Sequence, residues 1–273
     1  KGGVLPGAKI TKEIATIRGV QVGKDVLSPS THKAFSSVSE LMQLIETIAK
    51  ETGLPVGLKG AIGKLDQWKK LADLMVETGK GPDFITVDGG EGGTGAAPPS
   101  FADHVSLPWV YGFSSLYRVF LDRKLTERIV FVGSGKLGFP AKAAMAFAMG
   151  VDCINVAREA MMSIGCIQAQ VCHTNRCPTG IATQSKWLQN GINVPLKSDR
   201  LAQYFKSFRK EFLEITHAAG YEHPCEFTMD DIQVNVDDHD LNKSLASTYG
   251  YHKVKVDFNG TQELKDCSYL GGK

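Results

Sequence analysis

The sequence has few cysteines, no strong excess of charge of either sign and no long apolar run. Its 273 residues hold 31 Lys and Arg against 29 Asp and Glu, a formal net charge of +2. This balance gives no support to binding of nucleic acid or of a membrane surface. The longest apolar stretch, residues 143–151, is about half of a membrane span. No basic segment followed by an apolar one opens the chain, so we expect a cytoplasmic protein without a secretory signal.

Six cysteines are too few for a disulfide scaffold at this length. Cys166, Cys172 and Cys177 lie close together, with spacing C-x5-C-x4-C, and Pro178 follows the third. This pattern lacks the C-x2-C of most structural zinc sites, whereas a Cys-Pro ending is typical of iron–sulfur ligation. Three thiolates on one loop suit a three-iron cluster, or a four-iron cluster with one corner held otherwise. Zinc with His173 as fourth ligand and three unligated core cysteines are the alternatives.

The middle of the chain alternates short apolar strands with amphipathic helices. We expect strands at residues 55–59, 84–88, 128–132 and 153–157, and helices at 13–18, 36–51, 65–78, 114–121, 141–149 and 196–217. Strands alternating with helices indicate an α/β fold with a parallel sheet. Because the strands show little polar alternation, we expect both faces of this sheet to be covered. Ser36 or Ser39 is the expected N-cap of the second helix, and Gly53 its stop.

In parallel α/β folds, ligands bind beyond the carboxyl ends of the strands. The loop over residues 88–95 follows a strand and is dense in glycine, which lets backbone N–H groups approach an anion or a flat ring. Its literal G-x-G-x-x-G does not indicate a Rossmann site, because Pro98 and Pro99 stand where the phosphate-binding helix would run. A flexible turn is the alternative reading.

Three further strand ends carry candidate side chains. The turn Gly133-Ser134-Gly135 lacks P-loop spacing, but its free amides suit a phosphate, as in the last two strands of a (β/α)8 barrel. Arg158, after Ala157, would add a guanidinium to the same phosphate, with a surface ion pair as the alternative. Lys59, at the end of a strand, would face a flat ring or an anionic substrate unless it forms a salt bridge at the rim.

These motifs together resemble the FMN-binding synthase domain of glutamate synthase. The resemblance covers residues 1–224 and leaves residues 225–273 as a polar tail. It rests on residues 1–7 (KGGVLPG), 27–29, 56–59, 88–98 (DGGEGGTGAAP), 133–135, Arg158 and 165–184. The last of these stretches is long and specific, since it contains all three clustered cysteines and continues as Cys-Pro-Thr-Gly-Ile-Ala-Thr-Gln.

The resemblance implies a (β/α)8 TIM-type barrel of which this chain supplies about the C-terminal half. It implies an oxidoreductase acting on CH–NH2 donors, with a [3Fe-4S] cluster on Cys166, Cys172 and Cys177 that passes electrons to FMN. Reduced FMN then transfers a hydride to 2-iminoglutarate, formed from 2-oxoglutarate and ammonia. An external donor, ferredoxin or a reductase subunit, supplies the electrons. The implied FMN-binding residues are Lys59, Asp88, Gly92, Gly93, Thr94, Gly133, Ser134, Gly135, Ala157 and Arg158, with Lys59 also catalytic at the N1–C2=O edge of the ring.

The sequence departs from the family pattern in three respects. About half of an eight-stranded barrel is missing, so we expect the chain to be part of a longer protein. Lys1 stands where the family opening K-P-G-E-G-G-x-L-P-G has Glu. No amidotransferase domain with an N-terminal Cys nucleophile is present. The missing Glu favours, as the alternative, a flavin and iron–sulfur electron-transfer subunit that does not itself form glutamate.

Overall fold

A computed structural model describes residues 3–29, 31–92, 99–235 and 243–254 of the chain. The strands are β1 (Val4–Leu5), β2 (Val26–Leu27), β3 (Gly57–Ala61), β4 (Phe84–Asp88), β5 (Val130–Ser134), β6 (Cys153–Asn155), β7 (Gln233–Val234) and β8 (Lys243–Ser244). The helices are α1 (Lys12–Arg18), α2 (Val38–Thr52), α3 (Asp66–Thr78), α4 (Trp109–Leu121), α5 (Pro140–Met149), α6 (Arg158–Ser163), α7 (Lys186–Gln189), α8 (Val194–Ala218) and α9 (Leu245–Tyr249). No helix in these ranges is both long and apolar enough to cross a bilayer.

The central sheet is parallel, with strand order β3-β4-β5-β6. The α/β prediction with a parallel sheet is therefore confirmed, while the closed eight-stranded barrel stays a prediction. In the register, Asp88 lies opposite Ser134, and Ser134 lies opposite Asn155. These three polar residues therefore form one row at the carboxyl edge of the sheet.

Two strands are displaced from their expected bounds. β3 and β5 both begin and end two residues later than the sequence indicated, so Lys59 lies in the middle of β3 and Gly133 and Ser134 belong to β5 itself. β6 ends at Asn155, two residues early, and Ala157 becomes the residue before α6. The displacement follows from pairing, because β4 keeps its expected bounds and fixes the register of its neighbours.

The helices cover one face of the central sheet. Ile85, Val87 and Phe131 point to that face and are buried with apolar side chains of α3, α4 and α5. On the opposite face, Lys59 has a 58% exposed side chain and Val130 is 45% exposed. The expectation that both faces are covered is therefore wrong for the described residues, since their central helices pack on one side only.

Helix α2 shows how local chemistry sets a boundary. Ser37, between the two serines we expected, is the N-cap, and its hydroxyl accepts a hydrogen bond from the Glu40 amide at 3.2 Å. Ser36 instead donates from its amide and hydroxyl to the Glu40 carboxylate. Gly53 ends the helix with a left-handed φ of 66°, as predicted.

The described part of the tail packs against the sheet domain. Phe227, Met229, Leu245 and Tyr251 are buried and belong to the same apolar core as the central helices. The Tyr251 hydroxyl donates to the Met149 carbonyl at 3.0 Å. The division of the chain at residue 224 stays a prediction.

Candidate active site

A cavity of about 370 Å³ opens at the carboxyl ends of β4, β5 and β6. Its volume is that of a small-molecule site. Among the predicted FMN-binding residues, Asp88, Gly92, Ser134, Gly135, Ala157 and Arg158 line it. Gly93, Thr94 and Pro98 lie outside the described residues, and so does the side chain of Pro99.

Lys59 reaches this edge through an ion pair. Its Nζ lies 3.1 Å from Oδ2 of Asp88, which itself lines the cavity, whereas Lys59 is not among the described lining residues. The pairing matches the rim salt bridge weighed from the sequence. Because the Lys59 side chain is 58% exposed, this pair contributes about 0–1 kcal/mol to stability.

Trp109 leaves no space for side chains at two glycines of the site. A Cβ at Gly135 would lie 2.4 Å from Cβ of Trp109, and one at Gly89 would lie 2.6 Å from it. The Glu91 carboxylate accepts hydrogen bonds from the Trp109 amide at 2.8 and 3.0 Å, where α4 begins. A carboxylate there satisfies a free helix N–H and complements the helix dipole.

Arg158 and Lys136 bring two cations to the cavity wall. Nη1 of Arg158 lies 3.1 Å from both carboxylate oxygens of Asp103, and Nζ of Lys136 lies 3.0 Å from Oδ1 of the same residue. Burial by itself raises the pKa of Asp103, but hydrogen bonds and charge from Arg158 and Lys136 outweigh it and hold the pKa below 3.8. Nη2 of Arg158 is buried without a hydrogen-bond partner among the described residues.

The cysteine loop also contributes to the lining of this cavity. Cys166 and Cys172 line the same cavity as Asp88 and Gly135. Nε2 of Gln168 donates to Sγ of Cys166 at 3.2 Å. Cys177 is buried, with 8% of its surface exposed.

Hydrogen bonds favour the thiolate form of Cys177. Burial raises the pKa of this thiol, but the Thr179 hydroxyl and three backbone N–H groups between residues 179 and 182 outweigh burial and lower it. N–H donors to sulfur are also a means by which proteins tune iron–sulfur centres. The arrangement therefore suits a metal-binding thiolate.

The ligand set itself is not assembled. Within residues 3–29, 31–92, 99–235 and 243–254, no group of three or more His, Cys, Asp or Glu side chains is placed to hold a metal ion. Nδ1 of His173 is buried and has no hydrogen-bond partner in the described part of the chain. Both the iron–sulfur prediction for the three cysteines and the zinc alternative with His173 therefore stay predictions.

The N-terminal segment braces the cysteine loop. Nζ of Lys9 donates to the Cys172 carbonyl at 2.8 Å, and Lys9 lines the cavity. Nδ2 of Asn175 donates to the Ala8 carbonyl at 3.4 Å. Residues far apart in sequence thus form one wall.

Comparison with known proteins identifies the family. The family model for the conserved region in glutamate synthase matches residues 1–222. The chain belongs to the glutamate synthase family. It is 38% identical over 238 residues to the glutamate synthase large subunit-like protein YerD of Bacillus subtilis, covering 87% of this chain and 45% of that protein.

Two further relatives carry the glutamate synthase name. The archaeal-type glutamate synthase [NADPH] of Thermotoga neapolitana is 33% identical, over 80% of this chain and 43% of the relative. The ferredoxin-dependent glutamate synthase of Pyropia yezoensis is 33% identical, over 85% of this chain and 14% of the relative. The chain therefore spans less than half the length of these glutamate synthase relatives.

Within this glutamate synthase domain, several residues at the site were not among the predicted site residues. Lys9, Glu91, Asp103 and Lys136 all contact the site or its lining residues. Glu91 lies within the predicted glycine-dense loop and Lys136 directly follows the predicted glycine turn, so both stand next to a recognisable pattern. Asp103 and Lys9 reach the site only through contacts between distant segments, which no spacing rule describes.

A second cavity, of about 340 Å³, lies at the opposite end of the sheet. Its lining includes Asp152, Cys225 and Lys253. Nζ of Lys253 donates to the carbonyls of Phe147 and Cys225, and burial lowers the pKa of Lys253. These contacts hold the tail against the sheet, and the amino ends of parallel strands are typically a region of stability.

Proposed function

We propose that this chain is the flavin- and iron–sulfur-binding part of a glutamate synthase-type oxidoreductase, which forms L-glutamate by reductive amination of 2-oxoglutarate. One observation carries the proposal, namely that three features line the same cavity. These are the cations of Lys136 and Arg158, which suit an anion, a glycine turn without room for side chains, and two of the clustered cysteines. Electron transfer to a flavin requires this closeness. The family membership supports the same reaction.

The described residues fit FMN. We propose that Arg158 and Lys136 hold its phosphate beside the β5 turn, where Gly135 permits close approach of the backbone. Nη2 of Arg158, which has no hydrogen-bond partner among the described residues, is a donor available to a phosphate oxygen. Asp88 would keep the ammonium of Lys59 next to the ring or substrate. Gly92, Gly93 and Thr94 would complete the ring site.

Bound FMN would supply the hydride that reduces 2-iminoglutarate. The chain's own contribution is binding and charge. The Lys59 ammonium would stabilise negative charge at the N1–C2=O edge or hold a substrate carboxylate. Ammonia is the nitrogen source in this proposal, and ferredoxin or a reductase subunit is the electron donor.

The cysteine loop fits an iron–sulfur centre by the chemistry of its donors. We propose that Cys166, Cys172 and Cys177 hold a [3Fe-4S] cluster. Support comes from the lowered pKa of the Cys177 thiol and from the amide donor on Cys166. Hydrogen bonds to cluster sulfurs and ligands set the potential of such centres.

The test measures flavin, iron and glutamate in the purified intact protein. We expect FMN and iron to copurify, a [3Fe-4S] signal by electron paramagnetic resonance, and glutamate from 2-oxoglutarate and ammonia with a chemical reductant. C172S should lose iron and activity. C225S, which removes a cysteine of the opposite cavity, should keep both.

Three results would contradict the proposal. Zinc in place of iron would favour the structural alternative with His173. Bound flavin and iron without glutamate formation would favour the electron-transfer subunit. Absence of both cofactors after anaerobic reconstitution would reject a redox role altogether.

A further inference from the structure

Asp103 connects the loops that follow three strands of the sheet. It lies on the loop after β4, and its carboxylate binds Lys136 after β5 and Arg158 after β6. Its backbone N–H also donates to the Gly92 carbonyl at 3.4 Å. Asp103 and Lys136 both adopt left-handed backbone conformations, with φ of 65° and 54°. Such conformations cost energy in residues other than glycine, so the surrounding contacts must hold them.

Asp103 contacts the two cations from outside the cavity, so it does not lie between them and a ligand in the cavity. Lys136 and Arg158 line the cavity, whereas Asp103 is absent from its described lining. The carboxylate uses Nη1 of Arg158 and leaves Nη2 buried and unpartnered among the described residues. A buried donor without a partner is costly, and an anion that accepts from it would remove that cost.

We propose that Asp103 is a positioning residue for the anion site: it fixes Arg158 and Lys136 so that both cations face a phosphate in the cavity. This inference rests on the proposed function for the identity of the anion, the phosphate of FMN. The two cations need a counter-charge to stay side by side, because like charges repel, and Asp103 supplies it from outside the cavity. A carboxylate that instead competed with phosphate would have the opposite effect on affinity.

The experiment compares FMN with riboflavin, which has the same ring but no phosphate. Flavin is titrated into the intact apoprotein and its fluorescence gives Kd for wild type, D103N, D103E and D103A. We expect D103N and D103A to weaken FMN binding by about tenfold and riboflavin binding by less than twofold. D103E should restore part of the FMN affinity. D73N is the matched control, because Asp73 pairs with Arg123 at 2.6 Å outside the cavity.

Each other outcome overturns the inference in an identifiable way. Equal loss of FMN and riboflavin would make Asp103 a general structural residue. Unchanged or tighter FMN binding in D103N, with normal binding in wild type, would reject the positioning role alone. Failure of wild type to bind either flavin would reject the proposed function, and the role of Asp103 with it.

Discussion

At the scale of single residues, Trp109 determines which side chains the mouth of the cavity tolerates. Its Cβ occupies the space that a side chain at Gly89 or Gly135 would need. Neither glycine has a positive φ, so close approach and not backbone conformation is the reason for glycine here. The glycine turn was predictable from the sequence, but the contact with Trp109 that requires glycine at these positions was not.

Substitution of Gly135 tests this close approach. In G135A, the new methyl would lie 2.4 Å from Cβ and 2.7 Å from Cγ of Trp109, so the turn or the tryptophan must move. We expect a loss of about 1–3 kcal/mol in the free energy of unfolding, measured by urea denaturation, and weaker FMN binding. G63A is the control, since a Cβ at Gly63 would meet no described atom within 4 Å. Equal stability of both variants would contradict the packing argument.

Tyr204 gives the molecule a pH dependence at high pH. Its hydroxyl donates to the Gly138 carbonyl at 2.7 Å. Burial, aided by the Glu159 carboxylate, raises the pKa of Tyr204 from 10.0 to about 12. Because the folded state favours the protonated phenol, its contribution to stability is present below pH 10 and is lost between pH 10 and about 12.

Replacement of this tyrosine isolates that contribution. Y204F should lose about 1 kcal/mol of unfolding free energy at neutral pH through the missing hydrogen bond. From pH 10 upwards, the free energy of unfolding of Y204F, measured by urea denaturation, should fall less steeply than that of the wild type. Y111F, at an exposed tyrosine, should follow wild type. Parallel curves for Y204F and wild type would refute the assignment.

At the scale of elements, Asn175 organises the cysteine loop between Cys172 and Cys177. Its Oδ1 accepts from the Gln184 amide at 2.7 Å and from the Thr183 hydroxyl at 3.0 Å. Its φ of 66° lies in the left-handed region, which asparagine tolerates better than most residues. One side chain therefore bridges the two sides of the loop and permits its turn.

Two variants separate these functions of Asn175. N175A removes the hydrogen bonds and adds backbone strain, while N175G removes only the bonds. We expect N175A to lose about 2 kcal/mol of unfolding free energy and N175G to lose less. Both should retain less iron than N190A, a control at an exposed asparagine after α7. Iron content equal to wild type in N175A would show that the loop does not need this bridge.

Local patterns predicted the elements better than the joints between them. β4 was predicted at its observed bounds, because Phe84–Asp88 is an apolar run closed by glycines. The start of α4 was placed at Ser114 instead of Trp109, since its capping carboxylate is Glu91, eighteen residues upstream. The same limit applies at the site. Arg158 and the clustered cysteines follow recognisable motifs, whereas the Asp103 carboxylate pairs with Lys136 and Arg158, which are distant from it in the sequence.

At the scale of the whole molecule, the uncovered face of the sheet is the one that would face the interior of a closed barrel. Val130 projects from this face and is 45% exposed. If four more strands close a barrel, as the resemblance to the synthase domain implies, Val130 lies inside it in the intact protein. V130K should then cost about 2 kcal/mol or more in the intact protein, by thermal or urea unfolding.

The control for that prediction is a valine on the helical exterior. Val76 of α3 is 57% exposed, and V76K should change stability by less than about 0.5 kcal/mol. If V130K is equally neutral, the face is open to solvent and the closed barrel is wrong.

Because the N-terminal segment contacts the cysteine loop, a change in the loop also affects this segment. Lys9 is held by the Cys172 carbonyl, and Ala8 by Asn175. Any event that loosens the cysteine loop, such as oxidation of its thiols, therefore releases a lysine that trypsin can cut. Limited proteolysis at Lys9 would then report damage to a loop more than 160 positions away in the sequence.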